Sequence, residues 1–290
     1  MAIGKLISVF LVDGVPGGRL AGEISNWTGK AIKIPRKLLK DSAKREELVK
    51  AGVYFLFGKS EENPDEDAVY IGEAEEVYKR LIQHQKLEFW SEAVVFISKD
   101  ENLNKAHVKY LEAKLYEMAI AAKRYTITNS STPTCPAISE SEQAVMTEFI
   151  SNLRILINTL GYKVLEPFAD AKEKQKDLYF IKAARGANAK AVVTNEGVVV
   201  IEGSEIATST VPSMTTAFIN QRQKLIDQGV IQKAHGKLLF VKDHLFSSPS
   251  TAAVVVMGRN ANGRIEWKDK KGKTFKEKEE EQELRTSQST

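Results

Sequence analysis

The sequence predicts an α+β chain in two parts, and three observations carry that prediction. Its 290 residues exceed one small domain and suit two modest ones, each able to bury its own core. The middle of the chain reads β-β-α-β-α, and the part beyond residue 170 reads as a second set of strands, a helix and a hairpin. Between them, Asn129 to Ser139 is rich in Ser, Thr and Pro, which marks a loop and a candidate boundary.

From the start of the chain, Lys5 to Val12 alternates into an apolar run and stops at Asp13-Gly14-Val15-Pro16-Gly17-Gly18, a turn cluster. It is therefore the first arm of a hairpin, with Arg19 to Ile24 as the second. After the Asn26-Trp27-Thr28-Gly29 corner, Lys30 to Ile34 forms a further strand. Pro35 then opens a charged helix with apolar positions at Leu38, Leu39 and Leu48. Val53 to Phe57 and Ala68 to Ile71 are apolar and β-rich, and the polar loop holding Asn63 and Pro64 joins them as a hairpin. A helix follows from about Glu75 to Gln85, then a strand from Ala93 to Ile97. Asn104 caps a long helix reaching Ala122.

Beyond the boundary loop, Val145, Phe149, Leu153, Leu156 and Leu160 recur at helical spacing, so Glu140 to Leu160 is a connecting helix. Leu178 to Lys182, Ala191 to Thr194 and Gly197 to Ile201 are strands, Val211 to Ile226 a helix and Val230 to Val241 a hairpin. No internal repeat is present.

Composition narrows the class. Cys135 is the sole cysteine, which excludes an intramolecular disulfide or a cysteine-rich zinc cage and leaves an inert loop thiol. No apolar stretch reaches bilayer-spanning length, and Met1 to Leu11 lacks the regions of a secretory signal. A cytoplasmic protein with no membrane partner is expected. Net charge is +4, from 42 basic and 38 acidic side chains, which permits nucleic-acid binding without commanding it. Basic residues gather at Arg36, Lys37, Lys40, Lys44 and Arg45 and again at Lys268, Lys270, Lys271, Lys273 and Lys276, and acids at Glu61 to Asp67 and Glu277 to Glu283. Runs of this kind are more often solvated faces than binding surfaces.

Phosphodiester hydrolysis needs a nucleophilic water, charge at the phosphoryl oxygens and help for the departing alkoxide, and several residues could serve it, although each taken alone reads as readily as a structural side chain. Val108, Leu111, Leu115 and Ala119 define an apolar helix arc with Glu112 on its edge, where a carboxylate either snorkels or holds a cation. Arg80 and His84, four residues apart, share one helix face with Val77. A guanidinium there has the fixed fork that matches phosphate oxygens. Tyr54 and Tyr70 come from neighbouring strands. They are either half-buried sheet tyrosines or hydroxyls presented to one cleft, and a phenol acting as base requires a nearby cation.

The ordered set Gly52-Val53-Tyr54, Tyr70-Ile71-Gly72, Arg80, His84 and Glu112 resembles the GIY-YIG nuclease family, over roughly Gly52 to Asn129. The resemblance implies a small mixed sheet with flanking helices. It also implies roles: Tyr54 as base toward water, Tyr70 as its support, Arg80 on phosphate, and Glu112 as ligand to Mg²⁺ or Mn²⁺. His84 matches the histidine of the Arg-Leu-x-x-His form of the motif, and Asn129 a late asparagine that closes the site. Val53 replaces the usual Ile, and the connection between the triplets is longer and more acidic than the family's short loop. The segment from Ser248 through Lys273 looks like a C-terminal domain of unknown function often fused to such nucleases. There Arg259, Trp267, Lys268, Lys270, Lys271 and Lys273 are candidates to contact phosphates and stack on bases.

The expected layout is a β appendage with a basic helix over 1–50, the nuclease-like domain over 51–138 and a connecting helix and linker over 139–170. An accessory α+β domain over 171–276 and a charged tail over 277–290 complete it. The expected activity is metal-dependent endonucleolytic cleavage of DNA, with Tyr54, Tyr70, Arg80, His84 and Glu112 converging on one solvent-accessible cleft. The competing readings are a DNA-binding or interaction protein that keeps the fold without cutting, and an RNA-processing nuclease. The second of these has no RNP strand or GXXG clamp to support it.

Overall fold

The structure, a computed structural model, describes residues 4–169 and 178–287 and divides into two compact units, Met1–Glu166 and Pro167–Thr290. The expected boundary at 170/171 lies outside the described residues, as do 1–3 and 288–290 of the terminal segments.

The first unit is built on a sheet of seven strands among the described residues: β1 (Ile7–Leu11), β2 (Leu20–Ile24), β3 (Gly29–Pro35), β4 (Gly52–Lys59), β5 (Asp67–Ala74), β6 (Trp90–Ser98) and β7 (Thr126–Ile127). Their spatial order is β1-β2-β3-β6-β4-β5-β7. Every neighbouring pair is antiparallel except β5 with β7, which run parallel. The N-terminal hairpin continues this sheet, because β3 pairs with β6 along its length, from Gly29 opposite Ser98 to Pro35 opposite Glu92.

Strand alternation divides the unit's apolar residues between two faces. Val53, Phe55, Phe57, Val69, Ile71 and Phe96 pack under α2 (Lys105–Ala122) and α3 (Glu140–Thr159). Tyr54, Leu56, Ile32, Ile34 and Val95 pack on the other face with Val77 and Leu81 of α1 (Val77–Gln83) and with Leu39 and Leu48. The first of these long helices begins at the cap that the sequence predicts, Asn104, and the second at Ser139, the last residue of the expected loop. Asn104 and Ser139 each accept the N–H three residues on, and a side chain at that third position reaches back to the cap.

The charged helix expected after Pro35 is instead three 3₁₀ turns, Arg36–Leu38, Lys40–Ser42 and Glu46–Val49. Leu39 and Leu48 are buried, but the eight residues between them include no large apolar side chain to anchor successive helical turns. The helix expected to reach Gln85 stops at Gln83, and His84–Lys86 closes as a 3₁₀ turn.

The second unit holds eight paired strands among the described residues: β8 (Leu178–Lys182), β9 (Asn188–Thr194), β10 (Gly197–Val200), β11 (Glu205–Ile206), β12 (Ile231–Ala234), β13 (Lys237–Phe240), β14 (His244–Phe246) and β15 (Lys268–Asp269). Among the described residues its helices are α4 (Thr216–Asp227), α5 (Pro249–Met257), α6 (Gly263–Glu266) and α7 (Phe275–Ser287). The core centres on α5, whose residues Ala252 to Met257 are all buried. Ser248 caps its start, Pro249 fills a first-turn position, and Gly258 ends it in the left-handed conformation at φ 63°. This helix was not expected, because a segment apolar on every side has no helical stripe to betray it. Arg222 of α4 lies buried against it and donates to the backbone carbonyls of Val255 and Ala207. Both units are mixed α+β, and among the described residues no helix is long and apolar enough to cross a membrane.

Candidate functional site

The site is assembled on the edge of the first unit's sheet. Tyr54 lies at the centre of β4 on the α1 side and is fully buried. Its hydroxyl is 2.8 Å from Nε2 of His84, the residue that caps α1. The reach across β5 depends on Gly72, where a Cβ would stand 2.4 Å from the Tyr54 hydroxyl and 2.8 Å from the Tyr70 ring. Gly52 is constrained in the same way, since a Cβ there would lie 2.4 Å from the Phe96 carbonyl oxygen. The two glycines of the triplets are thus explained by close approach.

Tyr70, half-buried on β5, stacks with Tyr54 at 6.2 Å between ring centroids and lies 4.8 Å from the His84 ring. His84 is anchored through its carbonyl oxygen, which accepts the Trp90 indole N–H at 2.9 Å. Burial, helped by the charges of Arg80 and Lys86, lowers its pKa to about 4, so the imidazole is neutral at physiological pH. Burial and the neighbouring Tyr70 push the Tyr54 phenol up, while the Arg80 guanidinium pulls it the other way. The contact at 2.8 Å therefore joins a neutral phenol to a neutral imidazole.

Arg80 projects from the exposed face of α1, with Nη1 donating to Oε1 of Gln83 at 3.0 Å. Arg80, Gln83, His84 and Tyr70 line one cleft of about 650 Å³. Glu112 is half-buried on α2, and its carboxyl is raised to about 7 by burial and then by the charge of Glu73, against the pull of Arg80 and Lys109. Glu73 is the residue that sequence reasoning missed. It follows Gly72 on β5 and pairs with Lys105 at 3.3 Å, and a carboxylate directly after the second triplet was the available signal. Asn129 clamps β5 at the same edge: its Nδ2 donates to the Ile71 carbonyl at 2.7 Å, and the Ile71 N–H donates to its Oδ1 at 3.1 Å. That pair of hydrogen bonds fixes Ile71 between Tyr70 and Gly72.

The expectation that all five side chains open onto one accessible cleft is corrected in two places. Tyr54 lies beneath the cleft, fully buried, because Gly72 gives its ring a bed against β5. Glu112 is not among the residues lining the cleft, although its charge acts on Tyr54 and it is acted on by Arg80. Among the described residues no three His, Cys, Asp or Glu side chains gather as a metal cage. A cation here would have Glu112 as its carboxylate, with Glu73 nearby. This all-oxygen set suits a hard divalent ion, whose charge offsets the repulsion between the two groups.

In the second unit, the indole of Trp267 is 1% exposed and donates to the Pro249 carbonyl at 3.1 Å. It is a core residue, and a ring with no open face offers no base a stacking surface. Arg259 pairs with Glu266 at 2.7 Å, and Lys273 pairs with Glu281 of α7. Lys268 lies on β15, where Asp269 accepts the N–H groups of Lys271 and Lys273 at 2.8 and 3.0 Å. Lys270, Lys271 and Lys273 line a cleft of about 460 Å³ with Lys278, Arg285 and the acids Asp269 and Glu281. The acidic run Glu277 to Glu283 thus answers part of the basic one.

Comparison with known proteins locates one family in the chain: residues 179–279 match the Domain of unknown function (DUF4357), all within the second unit. No curated protein and no solved structure matches the chain.

Proposed function

We propose that the chain is a metal-dependent endonuclease that hydrolyses DNA phosphodiester bonds at the first unit's sheet edge, through a site of the GIY-YIG type. The observation that carries this reading is the Tyr54–His84 contact at 2.8 Å, set beside an exposed guanidinium and a carboxyl with an elevated pKa. Tyr70, Arg80 and His84 line a cleft wide enough for a phosphate, Tyr54 lies directly beneath them, and the charge of Glu112 acts on Tyr54.

The chain's own groups divide the work. Arg80, permanently charged and facing the cleft, holds the scissile phosphate through the forked donors of its guanidinium. Once Tyr54 has lost its own proton to solvent, its phenolate takes the proton of the attacking water as the water oxygen bonds to phosphorus and the bond to the departing alkoxide breaks, the alkoxide drawing a proton from solvent. Passing the Tyr54 proton to His84 is uphill on both counts, since burial holds the phenol up and the imidazole down. His84 therefore orients the hydroxyl, and ionisation of Tyr54 depends on positive charge nearby, of which Arg80 is the built-in part. Tyr70 covers the pair, and Asn129 holds the strand that carries it. A hard divalent cation on Glu112, Mg²⁺ or Mn²⁺, would supply further charge at the phosphoryl oxygens and the leaving group. The second unit is proposed as an accessory DNA-contacting part through Lys268, Lys270, Lys271 and Lys273.

The test is incubation of purified protein with supercoiled, linear, single-stranded and branched DNA, in Mg²⁺, Mn²⁺ or chelator. Cleavage of at least one DNA with metal and none with chelator is expected. Folded protein that cuts nothing under any condition would return the chain to the silent DNA-binding reading.

A further inference from the structure

The cleft beside Tyr70 and Arg80 extends well past them. Its remaining lining combines Leu87, Phe89 and Ile127 with the hydroxyls of Ser60, Thr126, Thr128 and Ser130 and with two carboxylates, Glu61 and Glu62. Its volume of about 650 Å³ falls within the roughly 300–1,000 Å³ of pockets that enclose a small-molecule-sized group. A groove built to track a phosphate backbone is lined by cations. This one presents cations only at Arg80 and Lys86, and the exposed acids Glu61 and Glu62 repel any further phosphate. What such a space accepts beside a phosphate held on Arg80 is a neutral, flat, hydrogen-bonding group. Phe89 and Tyr70 line it with aromatic rings, the hydroxyl oxygens of Thr126 and Thr128, which donate to Glu66 and the Val69 carbonyl, can accept, the exposed Ser130 can donate, and the carboxylates accept from exocyclic amines.

We infer that this cleft is a nucleobase pocket, which takes one unstacked base adjoining the phosphate on Arg80. The inference rests on the proposed phosphodiester chemistry and narrows it: the substrate is DNA that is single-stranded, or locally unpaired, at the cut. A base in a continuous duplex would have to leave its stack to enter, and that cost favours strands already unpaired. The acidic connection between β4 and β5, longer than a hairpin needs, then serves as the pocket wall that excludes the second strand's phosphates.

The test compares binding of the full chain, in chelator, to three fluorescent oligonucleotides of one length: a base-bearing single strand, an abasic single strand with the same phosphates, and a duplex. The expected result is tightest binding to the base-bearing strand, by about tenfold over the abasic one, the scale of a single base–aromatic contact. Phe89→Ala should erase that difference. Because Phe89 also packs on the core, Ser130→Trp, which fills the cleft from an exposed position, serves as the second variant and should erase it too. Equal binding of base-bearing and abasic strands, or a preference that survives both variants, overturns the pocket. Cleavage assays with Mg²⁺ separate the two levels of the account. Cutting of continuous duplex as fast as single strand overturns the pocket and leaves the nuclease reading standing, whereas no cutting of any DNA overturns the nuclease reading itself.

Discussion

Glu112→Gln should make the protein more stable at alkaline pH while abolishing cleavage. Burial and the charge of Glu73 raise the Glu112 carboxyl from the ordinary 4.5 to about 7. Below pH 4.5 the folded and unfolded chains both carry it protonated, and no penalty exists. Between 4.5 and 7 the unfolded chain releases the proton first, so the folded chain binds more protons and stability falls as pH rises; above 7 the penalty is complete. At face value the displacement corresponds to roughly 3 kcal/mol. The carboxyl is only half-buried and water screens part of its charge, so about 1–2 kcal/mol is expected. Glutamine has no such charge and escapes the penalty at every pH. The assay is thermal melting of both proteins in chelator from pH 5 to 8. The variant's advantage should grow across that range to about 2–8 °C, at the 2–4 °C per kcal/mol of a domain this size. His84, with its depressed pKa, contributes the opposite slope, stability lost as pH falls from 6.5 toward about 4. It is common to both proteins and cancels in the difference. A gap that does not change with pH, or a variant less stable than wild type at pH 8, would refute the placement of a strained carboxylate at this site.

The same geometry sets four further outcomes. Mg²⁺ or Mn²⁺ added to metal-free protein should raise the melting temperature of wild type but not of Glu112→Gln, because binding to the folded state stabilises it by mass action. Gly72→Ala forces a Cβ to 2.4 Å from the Tyr54 hydroxyl; it should cost about 1–3 kcal/mol in denaturant unfolding and depress cleavage. His84→Ala leaves the buried Tyr54 hydroxyl without its 2.8 Å partner and should cost about 1–3 kcal/mol by the same measurement. Replacing Lys270, Lys271 and Lys273 by Glu should weaken binding of single-stranded DNA and reduce the slope of log affinity against log salt by roughly 0.7 for each phosphate the protein no longer neutralises, while metal-induced stabilisation stays as in wild type. An unchanged salt slope would mark these lysines as a solvated face.

Much of the first unit was legible because its signals are local. Asn104 and Ser139 cap helices, and the alternation of Val53, Phe55 and Phe57 against Tyr54 and Leu56 sends each to its own face of the sheet. The proximity of Tyr54, Tyr70, Arg80 and His84 was legible only through their order and spacing. Glu73 was visible as a carboxylate directly after the second triplet, but its bearing on Glu112 was not, since that arises from a strand and a helix distant in sequence. The depth of Tyr54 was hidden too, because the absence of a side chain at Gly72 reads in sequence as a turn or bulge signal and in space as a bed for a ring. In the second unit, Trp267 beside lysines suggested a stacking platform. Its burial depends on α5, whose apolar run Ala252 to Met257 carries no period, so that only Ser248-Pro249 at its start and Gly258 at its end mark a helix for the indole to pack against.

The central claim is that the buried Tyr54 hydroxyl takes part in cutting DNA, and Tyr54→Phe tests it most directly by removing one oxygen while keeping the ring that fills the core. Single-turnover cleavage of the best DNA substrate in Mg²⁺ should slow by at least about 100-fold in the variant, the lower end of what a positioned proton acceptor contributes, with the melting transition still cooperative. A folded Tyr54→Phe protein that cuts within about twofold of the wild-type rate, well inside that contribution, would contradict the account.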